Sequence, residues 1–455
     1  MLRAREGRQE VADVKHGIYW RDTEPVEYGP PLTQDIECDV CIVGGGYTGL
    51  WTARFLKEAD SSLNVQLLEA DYAGAGASGH NDGIVTCAIG GHSLPTLAGR
   101  FGAEAANHAH RAVTRSMGEI CRFCNQEEID ADAQLAGFYL VATSEREQQR
   151  LADGVRMLAD LNQGAPSAQL LGAADMRARI GSPAIVSGIW NTGLLINPHK
   201  LARGLARAVQ RAGTVIHERT PVLDVHDEGP VAVLRTPRAQ VRAGQVVLAT
   251  NAWQAQFPQF RRRVVPVWHH VLVTAPLTSA DLLAVNWRHR AACITVGKPG
   301  SFCRLTADNR ILFGGAGWFA ADADRGPGTA RSKRAERSLR RSFQRFFPML
   351  PDIQFSHFYG GAIALAPDRL PNVGQVSPRI THAYGYSGNG IAATHTVAKL
   401  VSDIVLGKGG NDELARVFLR PDESLFPPIP LRLMTARSLQ VSRFLSLRMR
   451  RQGLS

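Results

Sequence analysis

At 455 residues, 44% hydrophobic and 20% charged, the chain has the composition of an ordinary globular enzyme of two or three domains. Its longest apolar runs, such as Val246 to Ala249 and Ile391 to Ala393, fall far short of the roughly 18 residues of a membrane-spanning helix. Met1 to Lys15 is charged and lacks the apolar stretch of a signal peptide, so a cytoplasmic protein is expected, and the net charge of +11 suits an anionic partner.

Residues 1–36 read as an arm, polar and then punctuated by Pro25, Pro30 and Pro31, with Tyr19, Trp20 and Tyr28 available to pin it onto the body. An apolar strand, Asp39 to Val43, then runs into a glycine-rich turn. Gly44, Gly46 and Gly49 have G-x-G-x-x-G spacing: the first makes the tight turn, the second admits a pyrophosphate, and the third lets helix and strand pack closely. A helix starting near Tyr47 offers its N-terminal amides and dipole to the phosphates. Glu69 closes the next apolar strand, about 20 residues past the last glycine, where a carboxylate binds ribose hydroxyls.

Seven cysteines, an odd number, do not suggest a disulfide framework. Cys38 and Cys41 lie three apart on the first strand and are expected on opposite faces, while Cys121 and Cys124 fall in a helical stretch. Neither pair is expected to hold a metal.

Gly74 to Gly83 is a second loop of small residues, able to approach a ligand closely. Helical patterns follow over Leu97–Gln126 and Glu145–Asn162, and Leu201, Leu205, Ala208 and Val209 form another helical stripe. The run Gln245 to Ala252 reads as a buried parallel strand meeting a polar turn. A β-rich block spans Val264 to Phe313, and then Arg331, Lys333, Arg334, Arg337, Arg340, Arg341 and Arg345 recur along a basic helix. Ala383 to Gly390 forms a third glycine loop feeding the helix Ile391–Leu406, whose N-terminus can hold another electronegative part of the same cofactor. Arg432, Arg437, Arg443, Arg448, Arg450 and Arg451 crowd the tail.

Five segments, Val43–Leu50, Gly76–Gly83, Leu248–Ala252, Asp368–Gly374 and Gly385–Gly390, resemble the D-amino-acid oxidase superfamily, and within it the γ-glutamylputrescine oxidase branch. The resemblance implies an α/β (α+β two-domain) fold. A Rossmann-like FAD-binding domain would comprise 37–95, 170–260 and 355–410. A substrate domain with a mainly antiparallel sheet and helical insertions would comprise 96–169 and 261–354, and residues 411–455 a basic tail.

By the same resemblance, Gly44, Gly46, Tyr47, Thr48 and Gly49 hold the pyrophosphate and Glu69, with Ala70 beside it, the ribose. Ala77, Ser78, His80, Asn81, Asp82 and Gly83 pass along the flavin, Val222 meets the adenine, and Gly388, Asn389, Gly390 and Ile391 face the pyrimidine end. That branch commonly has arginine where this chain has His80. Dimethylglycine and sarcosine dehydrogenases have a histidine there that bonds covalently to flavin, so FAD is expected non-covalently, with attachment through His80 as the alternative. Relatives that attach FAD through cysteine carry it where this chain has Gly361.

The implied reaction is hydride transfer from an amine-bearing carbon to flavin, giving an imine that water hydrolyses, so no indispensable side-chain base is expected. His270, Arg304, Arg369 and His80 are the substrate-pocket candidates; of His269 and His270, which alternate on a strand, at most one faces the flavin. Arg304 and Arg369 suit an anionic substrate tail. Glycine oxidases carry a carboxylate-binding arginine near the position of Ile363, so an ω-amine or N-alkyl amine with a remote anionic group suits this chain better. The alternatives are a sarcosine, dimethylglycine or taurine dehydrogenase passing electrons to a carrier instead of O₂, and a tRNA-binding or tRNA-modifying flavoprotein. The basic tail adds a possible membrane or nucleic-acid contact.

Overall fold

The structure is a computed structural model that describes residues 14–161, 168–297, 300–319, 332–408, 412–420 and 425–427. The tail arginines and Arg331 lie outside them.

Two sheets organise the chain into a mixed α/β, two-domain fold. The first runs in the order Asn372–Ser377, Ile380–Tyr384, Gln240–Leu248, Ile36–Val43, Val65–Leu68 and Val215–His217, with Ala232–Arg235 and Asp224–Asp227 branching from its centre. Its central pairings are parallel, as a βαβ chain requires. Both faces are covered, which is why Val65–Leu68 is buried at every position. On one face Val40, Ile42 and Leu67 pack with Trp51, Leu205 and Val397 from surrounding helices. On the other, Cys41, Val43 and Leu248 pack with Phe260, Trp268 and Tyr384.

The second sheet runs Phe355–Leu365, Val265–Thr274, Ile311–Phe319, Ser301–Leu305, Ala292–Thr295, Phe138–Ala142, Ser187–Asn191 and Leu170–Gly172. It is antiparallel except where Ala292–Thr295 meets Phe138–Ala142. The basic helix Lys333–Phe346 buries Ala335, Leu339, Phe343 and Phe346 against it and turns Lys333, Arg337, Arg341 and Arg345 to the surface.

Strand membership shifts the expected boundaries. Leu170–Gly172, Ser187–Asn191 and Phe355–Leu365 belong to the second sheet, although 170–260 and 355–410 are expected in the dinucleotide domain. The helix Ala103–Gln126, expected in the substrate domain, packs in the helical layer of the first sheet, where Val113 and Ile120 meet the Ile391–Val405 helix. A second correction concerns the cysteines. The consecutive amides of Asp39 and Val40 both donate to Asn64 O, which interrupts the strand's alternation. Cys38 therefore packs on the same cluster as Cys41 instead of the opposite face, and the two thiols meet.

The arm crosses the molecule. Lys15 N donates to Ser356 O at 2.9 Å and accepts from Phe358 N at 3.1 Å through its carbonyl, extending the edge strand Phe355–Leu365. Tyr19 and Trp20 are buried with Val271, Val273 and Tyr359, whereas Tyr28 stays 45% exposed with its hydroxyl on Asp71.

Candidate active site

Residues of both sheets line a cavity of about 630 Å³, within the range of small-molecule sites. Three glycine loops converge on it. In the first, Gly44 has φ +109°, and a Cβ there would sit 2.8 Å from Ala249 O, so only glycine fits the turn. At Gly49 a Cβ would lie 2.0 Å from Gly44 O, which lets helix Tyr47–Ala59 seat against the loop. Gly46 is different, since a Cβ there would meet only Ser78 Oγ, at 3.0 Å, and Gly46 lines the cavity. The helix starts at Gly46 with no side-chain cap, and among its first amides Tyr47 N reaches Ser78 Oγ at 2.8 Å. Glu69 accepts Gly45 N–H at 2.6 Å and Asp71 N–H at 3.0 Å, and its burial raises the carboxyl above the usual range.

The second loop enters a short helix, Ala77–His80, behind Gly76, where a Cβ would meet nothing within 4 Å. Ala77, Ser78, His80, Asn81 and Asp82 line the cavity, while Gly83 packs with φ +70° against Ile196 O. His80 is buried, its Nε2 sits 3.2 Å from the Tyr72 hydroxyl, and burial lowers its imidazole to about 3, so the ring is neutral. Trp20 Nε1 donates to Asn81 O at 2.7 Å, tying the arm to this loop.

The third loop brings Gly388, Asn389, Gly390 and Ile391 to the cavity, ahead of helix Ile391–Val405, which also begins without a side-chain cap. Thr48 Oγ1 donates to Tyr386 Oη at 2.8 Å and Thr86 Oγ1 to Asn389 Oδ1 at 3.1 Å, coupling the three loops to one another. Ala70 and Val222 complete the lining. Uncapped helix starts, glycines open to the cavity and a buried carboxylate suit an elongated dinucleotide with a central anionic group.

The second sheet gives the cavity the wall of its substrate chamber, His269, Val271, Ile294, Phe302 and Ile363, and the turn after Leu248 adds Trp253 and Gln256 to the lining. His269 is the strand histidine that lines it, with the Phe302 ring stacked at 6.5 Å, and burial lowers its imidazole to about 4. His270, the candidate chosen from sequence, points away and stacks on Phe358 at 5.6 Å. Arg304 does not line the cavity either: its guanidinium, 2% exposed, donates to Gly83 O at 2.9 Å and Ile196 O at 2.8 Å and lies over the Trp20 ring. Arg369 donates to Gly91 O at 3.1 Å, behind Asn389. The two arginines are thus fasteners of backbone, and the expected anionic-tail contact has no support from their geometry. Trp253, Gln256 and Phe302 were not singled out by sequence; the polar turn after Ala249 was the one signal for the first two.

No group of three or more metal-ligating side chains, and no helix long and apolar enough to cross a membrane, occurs among the described residues. A family model described as FAD dependent oxidoreductase (DAO) matches residues 39–404. Gamma-glutamylputrescine oxidoreductase of Escherichia coli (strain K12) is 30% identical over 388 residues, 84% of this chain and 87% of that protein. The probable oxidoreductase OrdL of Haemophilus influenzae is 28% identical over 398 residues, 86% of this chain and 87% of that one. The crystal structure of glycine oxidase from Geobacillus kaustophilus superimposes with a TM-score of 0.71 at 20% identity, over 85% of this chain and 100% of that chain.

Proposed function

The chain belongs to the DAO family of FAD-dependent oxidoreductases, and we propose that its substrate is a primary or N-alkyl amine with no carboxylate beside the reacting carbon, γ-glutamylputrescine being the model compound. The observation that carries this reading is the charge of the lining: among the described residues no lysine or arginine borders the cavity. Ile363 lines it where glycine oxidases would offer an arginine, so an α-carboxylate would be buried without a counter-ion.

When bound, FAD supplies the acceptor for the hydride leaving the amine-bearing carbon. The first and third loops hold the cofactor through Gly44, Gly46, Thr48 and Gly388–Ile391, and Glu69 takes the ribose. His269 orients the amine; the neutral imidazole accepts a hydrogen bond from it while Phe302, Val271 and Ile294 exclude water. The amine loses the hydride and one proton, and water converts the resulting imine to a carbonyl and free amine or ammonia. In this reading the flavin is held without a covalent bond, and His80 Nε2 pairs with the Tyr72 hydroxyl at 3.2 Å. Acid precipitation is expected to release the flavin to the supernatant. The seven free cysteines fit the reducing cytoplasm.

The test is anaerobic titration of the yellow protein with γ-glutamylputrescine, simple alkylamines and glycine. Loss of the visible flavin absorbance with the amines, and carbonyl formation, are expected. Bleaching by glycine alone would overturn the reading. Peroxide release on readmitting air then separates an oxidase from a dehydrogenase.

A further inference from the structure

Three carboxylates line the cavity: Glu69, Asp71 and Asp82. Two belong to the dinucleotide end, where Glu69 accepts two backbone amides and Asp71 accepts the Tyr28 hydroxyl at 3.0 Å. Asp82 sits elsewhere. Arg304, which fastens its loop through Gly83 O, lies two residues beyond Phe302 on a strand that walls the chamber. Tyr359, which feels the Asp82 charge, is the register partner of Val271, another chamber residue. Asp82 therefore flanks the substrate chamber.

Among the described residues, the amide of Ile84 is the one group of another residue that donates to its carboxylate, onto Oδ1 at 2.8 Å. Arg304 stands close enough to favour the charged form, yet its Nε and Nη1 groups donate to backbone carbonyls and it makes no ion pair with the Asp82 carboxylate among the described contacts. The remaining facing groups, His80 and Tyr359, are held neutral by burial. A carboxylate in this position is ionised at neutral pH, borders a cavity without lysine or arginine, and keeps an oxygen for a cationic guest.

Resting on the amine-oxidising function above, we propose that Asp82 is a specificity determinant that selects substrates carrying a second ammonium group and receives that group in the chamber. Burial pushes its carboxyl up to about 6. The preference is therefore present above that pH and lost as the pH falls through it.

The experiment compares kcat/KM for 1,4-diaminobutane and n-pentylamine, matched in length, with the flavin-loaded enzyme. At pH 7.5 the diamine is favoured by roughly tenfold or more, a loss typical of removing one partner of a buried charge pair. Asp82→Asn, compared at flavin content matched to wild type, brings the ratio close to unity through the KM of the diamine, whatever it does to turnover of both amines alike. A pH series on the unmodified enzyme requires no variant, and there the ratio declines below about pH 6. A ratio near unity at pH 7.5, one that is flat across pH, or one that persists in flavin-loaded Asp82→Asn overturns the proposal. Turnover of neither amine defeats the amine-oxidising function and this inference with it; equal turnover of both defeats this inference alone.

Discussion

Replacing Gly49 by alanine places a methyl carbon 2.0 Å from Gly44 O, about 1.4 Å inside ordinary van der Waals contact. The oxygen is backbone and the backbone fixes the position of a Cβ, so no side chain can rotate out of the way, and the helix must lift off its loop. Overpacking of this kind costs about 1–3 kcal/mol or more. Better helix propensity returns up to about 1 kcal/mol, and a net loss of about 2 kcal/mol is expected. Gly76→Ala is the matched control, because a Cβ there meets no protein atom within 4 Å and φ is an unstrained −88°. Urea unfolding of the flavin-stripped proteins should show Gly49→Ala destabilised and Gly76→Ala unchanged, whereas FAD titration should show weakened binding in both. Equal stability of stripped Gly49→Ala and wild type would refute the steric argument. Unaltered FAD affinity in Gly76→Ala would refute the placement of that glycine against the cofactor.

Arg304→Met leaves the Ile196 carbonyl without its donor and Gly83 O with the Ile196 amide alone, so stability should fall by about 1–3 kcal/mol in urea while the KM for n-pentylamine stays put. A selective rise in KM would restore Arg304 as a substrate ligand. Trp20→Phe deletes the hydrogen bond to Asn81 O, and fluorescence titration should show FAD affinity reduced about fivefold, equivalent to ~1 kcal/mol. Buried His80 and His382, lowered to about 3, and His269 and His395, lowered to about 4, resist protonation in the fold. Their contribution is complete above the ordinary histidine value of 6.5 and drains as pH falls below it, by up to about 1.4 kcal/mol per pH unit for each. Urea midpoints at pH 7 and pH 5 measure this; identical midpoints would contradict it.

Two of the glycine loops were readable because Gly44 and Gly388, at φ +109° and +93°, need a backbone that few residues adopt, and a glycine of each loop, Gly44, Gly76 and Gly388, lines the cavity. Side-chain direction on the strands was less readable. Alternation sets His269 against His270 but not which of them faces inward, and that depends on packing against Phe358 and Phe302. Arg304 resembles a ligand-binding arginine in sequence because its acceptors, at 83 and 196, are distant along the chain. The shared acceptor at Asn64 that turns Cys38 toward Cys41 leaves no trace in composition or period.

The arm has a bearing on the order of events during synthesis. Its backbone partners, Ser356 and Phe358, leave the ribosome more than three hundred residues after Lys15. Until then Tyr19 and Trp20, later buried beside Val271 and Tyr359, lack the edge strand that completes the surface they cover. The Trp20 bond to the Asn81 carbonyl forms once that surface exists, so the flavin-side loop is fastened late. A nascent chain can assemble the first glycine turn early, but firm retention of flavin awaits near-complete translation.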